Sequence, residues 1–361
     1  MATRERWIFS SMEKDVDAVV LMNAVEPNLD GSFFYATGIP NGLFEGCVAI
    51  VEPRRTEVLS STLEELSSRE AGVKTTVYET EKQRHDLLLR KLKHMRRIGV
   101  NSRELTERNY RLVKKAAKGA RLIDVSADIE MARVIKQPDE LERLVRACKI
   151  AADAGKEIPE MVHEGQKETE AAAELNYRMM KLGSSGPSFE TAVAFGSSSA
   201  EPHYTPMNRK LRRGQLALFD YGAKYRRYVS DVTRTFVCGS PDRKQKEMYD
   251  VVREAQQAAI DVICDGVHGK VVDHAARSVI DKSRFKGRFI HSTGHGLGIS
   301  VHDPGSISYA RDMVLRKNMV LTVEPGVYLK GFGGVRIEDD ILVTENGCKI
   351  LTPLSKEFIR I

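Results

Sequence analysis

The sequence predicts two domains, a small N-terminal α/β domain followed by a larger α+β domain. At 361 residues and 40.4 kDa, the chain is about two to three times as long as a typical domain of roughly 150 residues. Short apolar runs alternate with helical stretches in the first third, whereas long amphipathic helices and hairpin-connected strands follow. We therefore expect domains at residues 1–128 and 129–361.

The N-terminal third alternates strand patterns with helical patterns, which is typical of an α/β domain. Its strands are predicted at residues 18–22, 47–51, 57–60, 98–100 and 121–125. Its helices are predicted at residues 82–95 and 104–117. The densest basic run, residues 90–97, falls at the end of the first of these helices, so we interpret it as a solvated helix face rather than a polyanion site.

The rest of the chain mixes long helices with strands that are close enough in sequence to form hairpins. Helices are predicted at residues 139–162, 167–182, 243–265 and 271–283. Gly183 is well placed to end the second of them. Strands are predicted at residues 191–195, 216–221, 229–237, 319–323 and 335–343.

The composition excludes several classes of protein. With 42% hydrophobic and 29% charged residues, the chain resembles an ordinary globular protein. No apolar run approaches the roughly 18 residues that span a bilayer, and the first ten residues lack the apolar core of a signal peptide, so a cytoplasmic location is expected. The five cysteines are scattered without a C-x-x-C pair, which argues against a disulfide framework or a thiolate zinc site. A net charge of +6 is too mild to imply a nucleic-acid partner.

Four apolar strand patterns in the second domain each lead into an acidic residue. Asp220 ends one strand, and Asp231 lies on the strand that returns from it. Glu324 ends a third apolar segment, and Glu338 follows a fourth. A buried carboxylate needs a partner, and four that converge would repel one another strongly. Two divalent cations would balance the four negative charges.

A fifth ligand is predicted at His295, which lies in the segment GHGLG at 294–298. The glycines would let the backbone approach a metal or substrate closely. This spacing fits neither the dinucleotide fingerprint nor a phosphate-binding loop. One imidazole with four carboxylates suits Mn²⁺ or Co²⁺, with Fe²⁺ and Zn²⁺ as alternatives. Taken singly, each acid is better explained as a turn or cap residue, so the prediction depends on all five together.

Together these segments resemble the pita-bread metallopeptidase family, which includes methionine aminopeptidase, prolidase, aminopeptidase P and the metal-free enzyme creatinase. The segments that match, in order, are FDYGA at 219–223, SDVTRT at 230–235, TGHGLG at 293–298, TVEPG at 322–326 and VRIED at 335–339. The resemblance covers most of residues 130–361. Residues 34–38 and 44–46 resemble the N-terminal creatinase-like domain of the proline-specific branch.

The resemblance implies a role for each ligand. It places Asp220 on one metal ion, His295 and Glu324 on the other, and Asp231 and Glu338 between the two. It also implies that Glu324 carries a proton for the attacking water. His203 and His302 match two further histidines of the proline-specific enzymes, which hold the substrate and stabilise the tetrahedral intermediate.

Two further residues have supporting roles in this interpretation. Arg336 resembles the family's arginine, which orients the cluster together with a tyrosine or the substrate. His291, four residues before His295, is expected to lie around the ligands rather than among them.

The implied activity is hydrolysis of Xaa-Pro bonds, with a dipeptidase (prolidase) favoured over an aminopeptidase P that acts on longer peptides. A dipeptidase needs a cation for the proline carboxylate, and Arg311 and Arg336 are the candidates. A non-catalytic binding protein on the same fold is disfavoured, as is metal-free hydrolysis of the creatinase type, because all five ligands are intact. The resemblance also implies a homodimer, with no nucleic-acid or membrane partner.

Overall fold

The structure, a computed structural model, describes residues 3–361. The chain divides into two compact units between Arg133 and Val134. The predicted boundary between residues 128 and 129 falls within the helix Ser126–Val134. No helix among residues 3–361 combines the length and the apolar character needed to cross a bilayer.

The first unit is built on a six-stranded mixed sheet with the strand order β4-β3-β2-β1-β5-β6. Its strands are β1 Ala18–Met22, β2 Val48–Glu52, β3 Arg55–Ser61, β4 Lys74–Tyr78, β5 Arg97–Val100 and β6 Arg121–Asp124. Its helices are α1 Arg4–Ser10, α2 Gly31–Thr37, α3 Glu65–Glu70, α4 Glu81–Leu92, α5 Glu107–Ala116 and α6 Ser126–Val134. All five predicted strands and both predicted helices are confirmed, whereas β4 and the helices α1, α3 and α6 were not predicted.

The basic run at 90–97 covers the end of α4 and the turn into β5. Lys91 pairs with Glu57, and Arg97 pairs with Asp15. The remaining basic residues of the run are exposed, as a solvated face would be.

The second unit contains two antiparallel sheets and two hairpins, with strand orders β11-β8-β7, β13-β12-β14-β17-β18, β10-β9 and β15-β16. Its strands are β7 Ala192–Phe195, β8 Leu216–Tyr221, β9 Lys224–Tyr225, β10 Tyr228–Val229, β11 Val232–Val237, β12 Gly294–Gly296, β13 Asp303–Ile307, β14 Val320–Val323, β15 Gly326–Leu329, β16 Gly333–Arg336, β17 Asp339–Val343 and β18 Cys348–Ile350. Its helices are α7 Pro138–Gly155, α8 Ile158–Met161, α9 Glu168–Lys181, α10 Arg243–Asp261 and α11 Gly269–Lys282.

The helix predicted at 139–162 is two helices. The first ends at Gly155, and the second begins at Ile158. Pro159 has no N–H to donate to the carbonyl of Gly155, so a continuous helix would lose a hydrogen bond at this point. The prediction of a single helix was wrong for this reason.

The strand predicted at 335–343 is also interrupted. Its first part, β16, pairs with β15, whereas its second part, β17, pairs with β14. The chain therefore changes sheets between Arg336 and Asp339, and Glu338 lies at the change.

The longest helix, α10, shows why these elements form and pack. Asp242 accepts a hydrogen bond from the N–H of Gln245 at 2.7 Å, and the Gln245 side chain accepts one from the N–H of Asp242 at 2.9 Å. The apolar face of α10 packs with α11 and the five-stranded sheet, where each fully buried Val, Leu or Ile contributes roughly 1.5–3 kcal/mol. This core includes Val252, Ala255, Ala259, Val272, Ala276, Ile280, Leu321, Val323, Ile341 and Val343.

Candidate metal centre

The four predicted acids lie at strand ends around one cavity of the second unit. Asp220 lies in β8, opposite Thr233 of β11, and Asp231 immediately precedes β11. Glu324 follows β14, and Glu338 lies between β16 and β17. All four line a cavity of about 820 Å³.

His295 lies at the centre of β12 and lines the same cavity. A Cβ atom at Gly294 would lie 1.9 Å from the carbonyl oxygen of Thr322, and one at Gly296 would lie 2.1 Å from that of Pro304. Only glycine therefore allows β12 to lie this close to its neighbours, as the sequence indicated. The imidazole Nδ1 lies 3.0 Å from the carbonyl oxygen of Gly296, which leaves Nε2 facing the acids.

The ligand candidates lie close enough to share a cation. The imidazole Nε2 of His295 is 3.6 Å from Asp231 Oδ2 and 3.5 Å from Glu324 Oε1. One ligand atom from each of Asp231, His295 and Glu338 lies within 4.8 Å of the other two. Thr233 donates a hydrogen bond to Glu338 Oε2 at 2.5 Å and so fixes one oxygen of that carboxylate.

The electrostatics of the cluster require positive charge. Burial, with Glu338 and Asp220 as the nearest like charges, raises the pKa of Asp231 well above its usual range. Burial and the carboxylates of Glu324 and Asp220 do the same to the pKa of Glu338. Burial raises the pKa of Glu324 to about 8, although the Arg336 guanidinium opposes the shift.

The donor set fits divalent metal ions. Asp220 Oδ1 is buried and accepts no hydrogen bond, which is unusual for a buried carboxylate oxygen. Carboxylate oxygens and one imidazole nitrogen are ligands that borderline and hard cations accept. A divalent ion here would compensate the crowded negative charges and supply the missing partner for Asp220.

Arg336 is fully engaged in the wall of the cavity, with 4% of its side chain exposed. Its guanidinium donates to Asp220 Oδ2 at 2.6 Å, to the Tyr328 hydroxyl at 3.0 Å and to Thr233 Oγ1 at 3.0 Å. The hydroxyl of Tyr328 also lies 2.9 Å from Nε2 of His291. Burial and the neighbouring Arg336 lower the pKa of His291 to about 4, so its imidazole is neutral near pH 7.

His203 and His302 are both exposed on the cavity wall. The rings of His302 and His295 meet edge to face, with centroids 4.5 Å apart. Burial is the largest cause that lowers the pKa of His302, followed by the adjacent His295 and His203. Both histidines are therefore positioned to reach a substrate beside the acids.

The candidate carboxylate-binding residue Arg311 lies outside the cavity lining. It is exposed, and its carbonyl accepts a hydrogen bond from Ser306 Oγ at 3.3 Å. Among the described residues, Arg336 is the one lysine or arginine that lines the cavity, and its contacts are already made within the protein.

The sequence did not predict the residues that hold the ligands in place. Asp273 accepts hydrogen bonds from the N–H and hydroxyl of Thr293, whose carbonyl accepts the N–H of Glu324 at 2.8 Å. Arg277 pairs with Asp273 and donates to the carbonyl of His291 at 2.9 Å. In the sequence, Asp273 and Arg277 form an ordinary i, i+4 ion pair on a helix, and such a pair does not indicate this role.

A second unpredicted support lies behind Asp231. Asp340 Oδ2 accepts the N–H of Asp231 at 3.0 Å and the thiol of Cys148 at 3.2 Å. Glu190, an exposed carboxylate of the cavity wall, was also not predicted. For Asp340, the one signal in the sequence was the acidic pair at residues 339–340.

The cluster of acids and one histidine at the base of a cavity defines the site of a metal-dependent enzyme. Residues 142–345 match metallopeptidase family M24, and residues 10–135 match the creatinase/prolidase N-terminal domain. The chain belongs to metallopeptidase family M24, so it is a peptide-bond hydrolase that uses divalent metal ions.

Several proteins that are similar to this chain are named as proline-specific peptidases. A protein of Pyrococcus horikoshii called Xaa-Pro dipeptidase is 35% identical over 360 residues, 99% of each chain. The solved Xaa-Pro dipeptidase of Bacillus anthracis has a TM-score of 0.91 at 32% identity and covers 99% of each chain. The solved X-Pro aminopeptidase of Thermotoga maritima has a TM-score of 0.90 at 30% identity, over 96% of this chain and 98% of that one. These matches confirm the predicted two-domain pita-bread fold and its proline-specific branch.

Proposed function

We propose that this protein is an Xaa-Pro dipeptidase, a prolidase. The observation that carries the proposal is the set of four acids and His295 at the base of one cavity, in a chain that matches a Pyrococcus horikoshii Xaa-Pro dipeptidase over 99% of both lengths. The creatinase/prolidase N-terminal domain at residues 10–135 supports the same specificity.

We further propose that the site holds two divalent ions, Mn²⁺ or Co²⁺. Asp220 would bind one ion, His295 and Glu324 the other, and Asp231 and Glu338 both. When bound, such ions lower the pKa of a water molecule and polarise the scissile carbonyl. Four carboxylates against two divalent ions leave no net charge from ligands and metals, which agrees with the deep burial of Asp231 and Glu338.

The protein's own side chains then move protons and orient the substrate. Glu324 accepts a proton from the attacking water and delivers it to the leaving proline nitrogen, a role that suits a carboxylate open to the cavity. His203 and His302 hold the substrate and donate hydrogen bonds to the developing oxyanion. Arg336 holds Asp220 and Tyr328 in place.

A second function is favoured by the positions of the arginines. Arg336 is engaged by Asp220, and Arg311 lies outside the cavity, so the part of the cavity lined by residues 3–361 offers no free guanidinium to a proline carboxylate. An Xaa-Pro aminopeptidase needs no such group, because its substrates continue beyond proline. The similarity to the Thermotoga maritima X-Pro aminopeptidase agrees with this alternative.

One experiment tests both functions. Protein stripped of metal and reloaded with Mn²⁺ or Co²⁺ is given Leu-Pro and Leu-Pro-Ala, and release of leucine is measured. Faster cleavage of Leu-Pro supports the dipeptidase, and faster cleavage of Leu-Pro-Ala supports the aminopeptidase. Cleavage of neither would refute both and favour a binding protein.

We also propose that the chain acts as a homodimer in the cytoplasm. Among the described residues, six large apolar side chains of the first unit are exposed, namely Val25, Leu43, Leu63, Leu66, Leu89 and Met131. Glu64 accepts the N–H groups of Leu43 and Phe44, so two of the exposed segments adjoin. Sedimentation of wild type and Leu63→Asp tests the dimer, because the charged variant should sediment as a monomer. All five cysteines are unpaired, which agrees with a reducing compartment.

A further inference from the structure

The cavity has one carboxylate that the metal centre does not use. Five acidic residues line it, and four of them are the proposed metal ligands. The fifth, Glu190, is exposed and lies at the solvent side of the wall. No lysine, arginine or histidine among residues 3–361 forms an ion pair with Glu190.

Backbone pairing on both sides of Glu190 holds its segment next to the strand that carries the ligand Asp220. Ala192 pairs directly with Asp220, and the N–H of Ser188 donates to the carbonyl of Gly222 at 2.9 Å. Glu190 lies between these two anchored positions. Glu190, Ala192 and Asp220 all line the cavity, so this segment presents the Glu190 carboxylate to the same space as the ligand.

A substrate with a free N-terminus brings a cation into this cavity. Its α-ammonium group lies within one residue of the scissile carbonyl, so it enters the cavity with the bond that is cleaved. The four ligand carboxylates are neutralised by the metal ions, and Asp220 also pairs with Arg336 at 2.6 Å. Glu190 is the carboxylate that remains available for a charge-assisted hydrogen bond.

We propose that Glu190 binds the α-ammonium group of the substrate's first residue. This inference rests on the proposed Xaa-Pro hydrolysis and adds the residue that selects a free N-terminus. The same carboxylate chemistry could also serve a cationic side chain on the first residue, and the substrates of the test separate these two sources.

The test compares Glu190→Gln with wild type on Leu-Pro and Arg-Pro, both loaded with the same metal. Gln keeps the size of the side chain and removes its charge. We expect kcat/KM to fall about tenfold for both substrates, mainly through KM, because a hydrogen bond to a charged group is lost. Glu190→Asp should recover part of the loss. Glu201→Gln is the matched control, since Glu201 is exposed near His203 but lies outside the cavity lining.

Acetyl-Leu-Pro, which has no α-ammonium group, separates charge recognition from cavity shape. As a competitive inhibitor it should have the same inhibition constant for wild type and Glu190→Gln. If Glu190→Gln weakened the binding of acetyl-Leu-Pro as much as that of Leu-Pro, the proposal would be overturned. A loss of kcat/KM confined to Arg-Pro would also overturn the proposal, because Glu190 would then bind the arginine side chain of the substrate. So would kinetics of Glu190→Gln that do not differ from those of Glu201→Gln.

Failure of the proposed hydrolysis can be distinguished from failure of this inference. If the loaded wild type cleaves neither dipeptide, calorimetry measures binding of Leu-Pro and acetyl-Leu-Pro to the loaded wild type and Glu190→Gln. Tighter binding of Leu-Pro that depends on Glu190 would support the inference without the activity. Equal binding of the two peptides would overturn both.

Discussion

We expect metal binding to depend most on Asp231 and Glu338, because the proposed assignment places both between the two ions and burial raises the pKa of each carboxyl well above its usual range. Asp231→Ala or Glu338→Ala should abolish tight metal binding and activity together. Removal of groups that only orient metal ligands costs roughly 10–100-fold, so we expect a loss of activity beyond about 100-fold. Metal content per chain and hydrolysis of Leu-Pro measure the two effects.

Glu201→Ala serves as the control for this pair of variants, because it removes an exposed carboxylate outside the cavity lining. It should keep both metal content and activity. Full turnover by either Asp231→Ala or Glu338→Ala would refute their assignment to both ions.

His302 should affect catalysis without affecting metal binding. It contacts the ring of His295 but is exposed on the cavity wall, where a bound substrate would meet it. We expect His302→Asn to keep its metal and to lose about 10²–10³-fold in kcat, the usual cost of removing one donor to an oxyanion. Steady-state kinetics and metal analysis of the same preparation check this, and loss of metal from the variant would make His302 a ligand or structural residue instead.

The sequence predicted the residues around this cavity better than the contacts that hold them. Asp220, Asp231, Glu324 and Glu338 could be predicted because each interrupts an apolar strand pattern, where a charge is otherwise unfavourable. Thr233 and Tyr328 could not, since an uncharged polar residue in a strand carries no such penalty when a partner is near. Asp340 was marked only by its acidic neighbour, which does not indicate what it contacts. Their roles depend on pairing between distant strands.

At the scale of elements, α11 anchors the segment that leads into His295. Arg277 of α11 donates to the carbonyls of Phe289 and His291, each at 2.9 Å, and pairs with Asp273. Arg277→Met should therefore loosen this segment and weaken metal affinity by roughly 10–100-fold. Metal titration by calorimetry measures the change, with Arg253→Met on α10 as a control that removes a partly exposed arginine far along the chain from the ligands.

A loss of thermal stability without a loss of metal affinity would contradict this role for α11. If Arg277→Met binds metal as tightly as wild type and only unfolds at a lower temperature, the Arg277 contacts support the fold alone. Thermal unfolding of the metal-loaded variants separates the two outcomes.

Element boundaries were predicted least well where tertiary contacts decide them. The strand at 335–343 reads as continuous in sequence, yet Glu338 donates its N–H to the carbonyl of Thr233 at 3.1 Å and leaves the pairing of both flanking strands. That interruption directs Glu338 into the cavity. Apolar periodicity cannot show a change of sheet, because the residues on both sides remain buried.

At the scale of the whole molecule, the two-unit architecture could be predicted from the change in the pattern of strands and helices along the chain. The cluster of acids in the second unit also makes the stability of the fold depend on pH. In the metal-free protein, the folded-state pKa of Glu324 is about 8, well above its value of 4.5 in an unfolded chain. The folded state therefore binds more protons than the unfolded state between these values. The contribution of Glu324 to the free energy of unfolding is therefore complete below pH 4.5 and is lost as pH rises through 8.

The free energy of unfolding of the metal-free protein should therefore fall between pH 7 and 8.5. His291, with its folded-state pKa near 4 and an unfolded value of 6.5, is neutral in the folded state over this range and adds only a small slope of opposite sign, mostly near pH 7. Denaturant unfolding at several pH values measures the effect. Glu324→Gln should reduce it because the amide does not titrate, while Asp231 and Glu338, whose pKa values are also raised, keep part of it. Metal-loaded protein should show no such fall, since bound cations keep the carboxylates ionised in the folded state. A metal-free protein that becomes more stable from pH 7 to 8.5 would mean that the cluster is already ionised, and that some other positive charge compensates it.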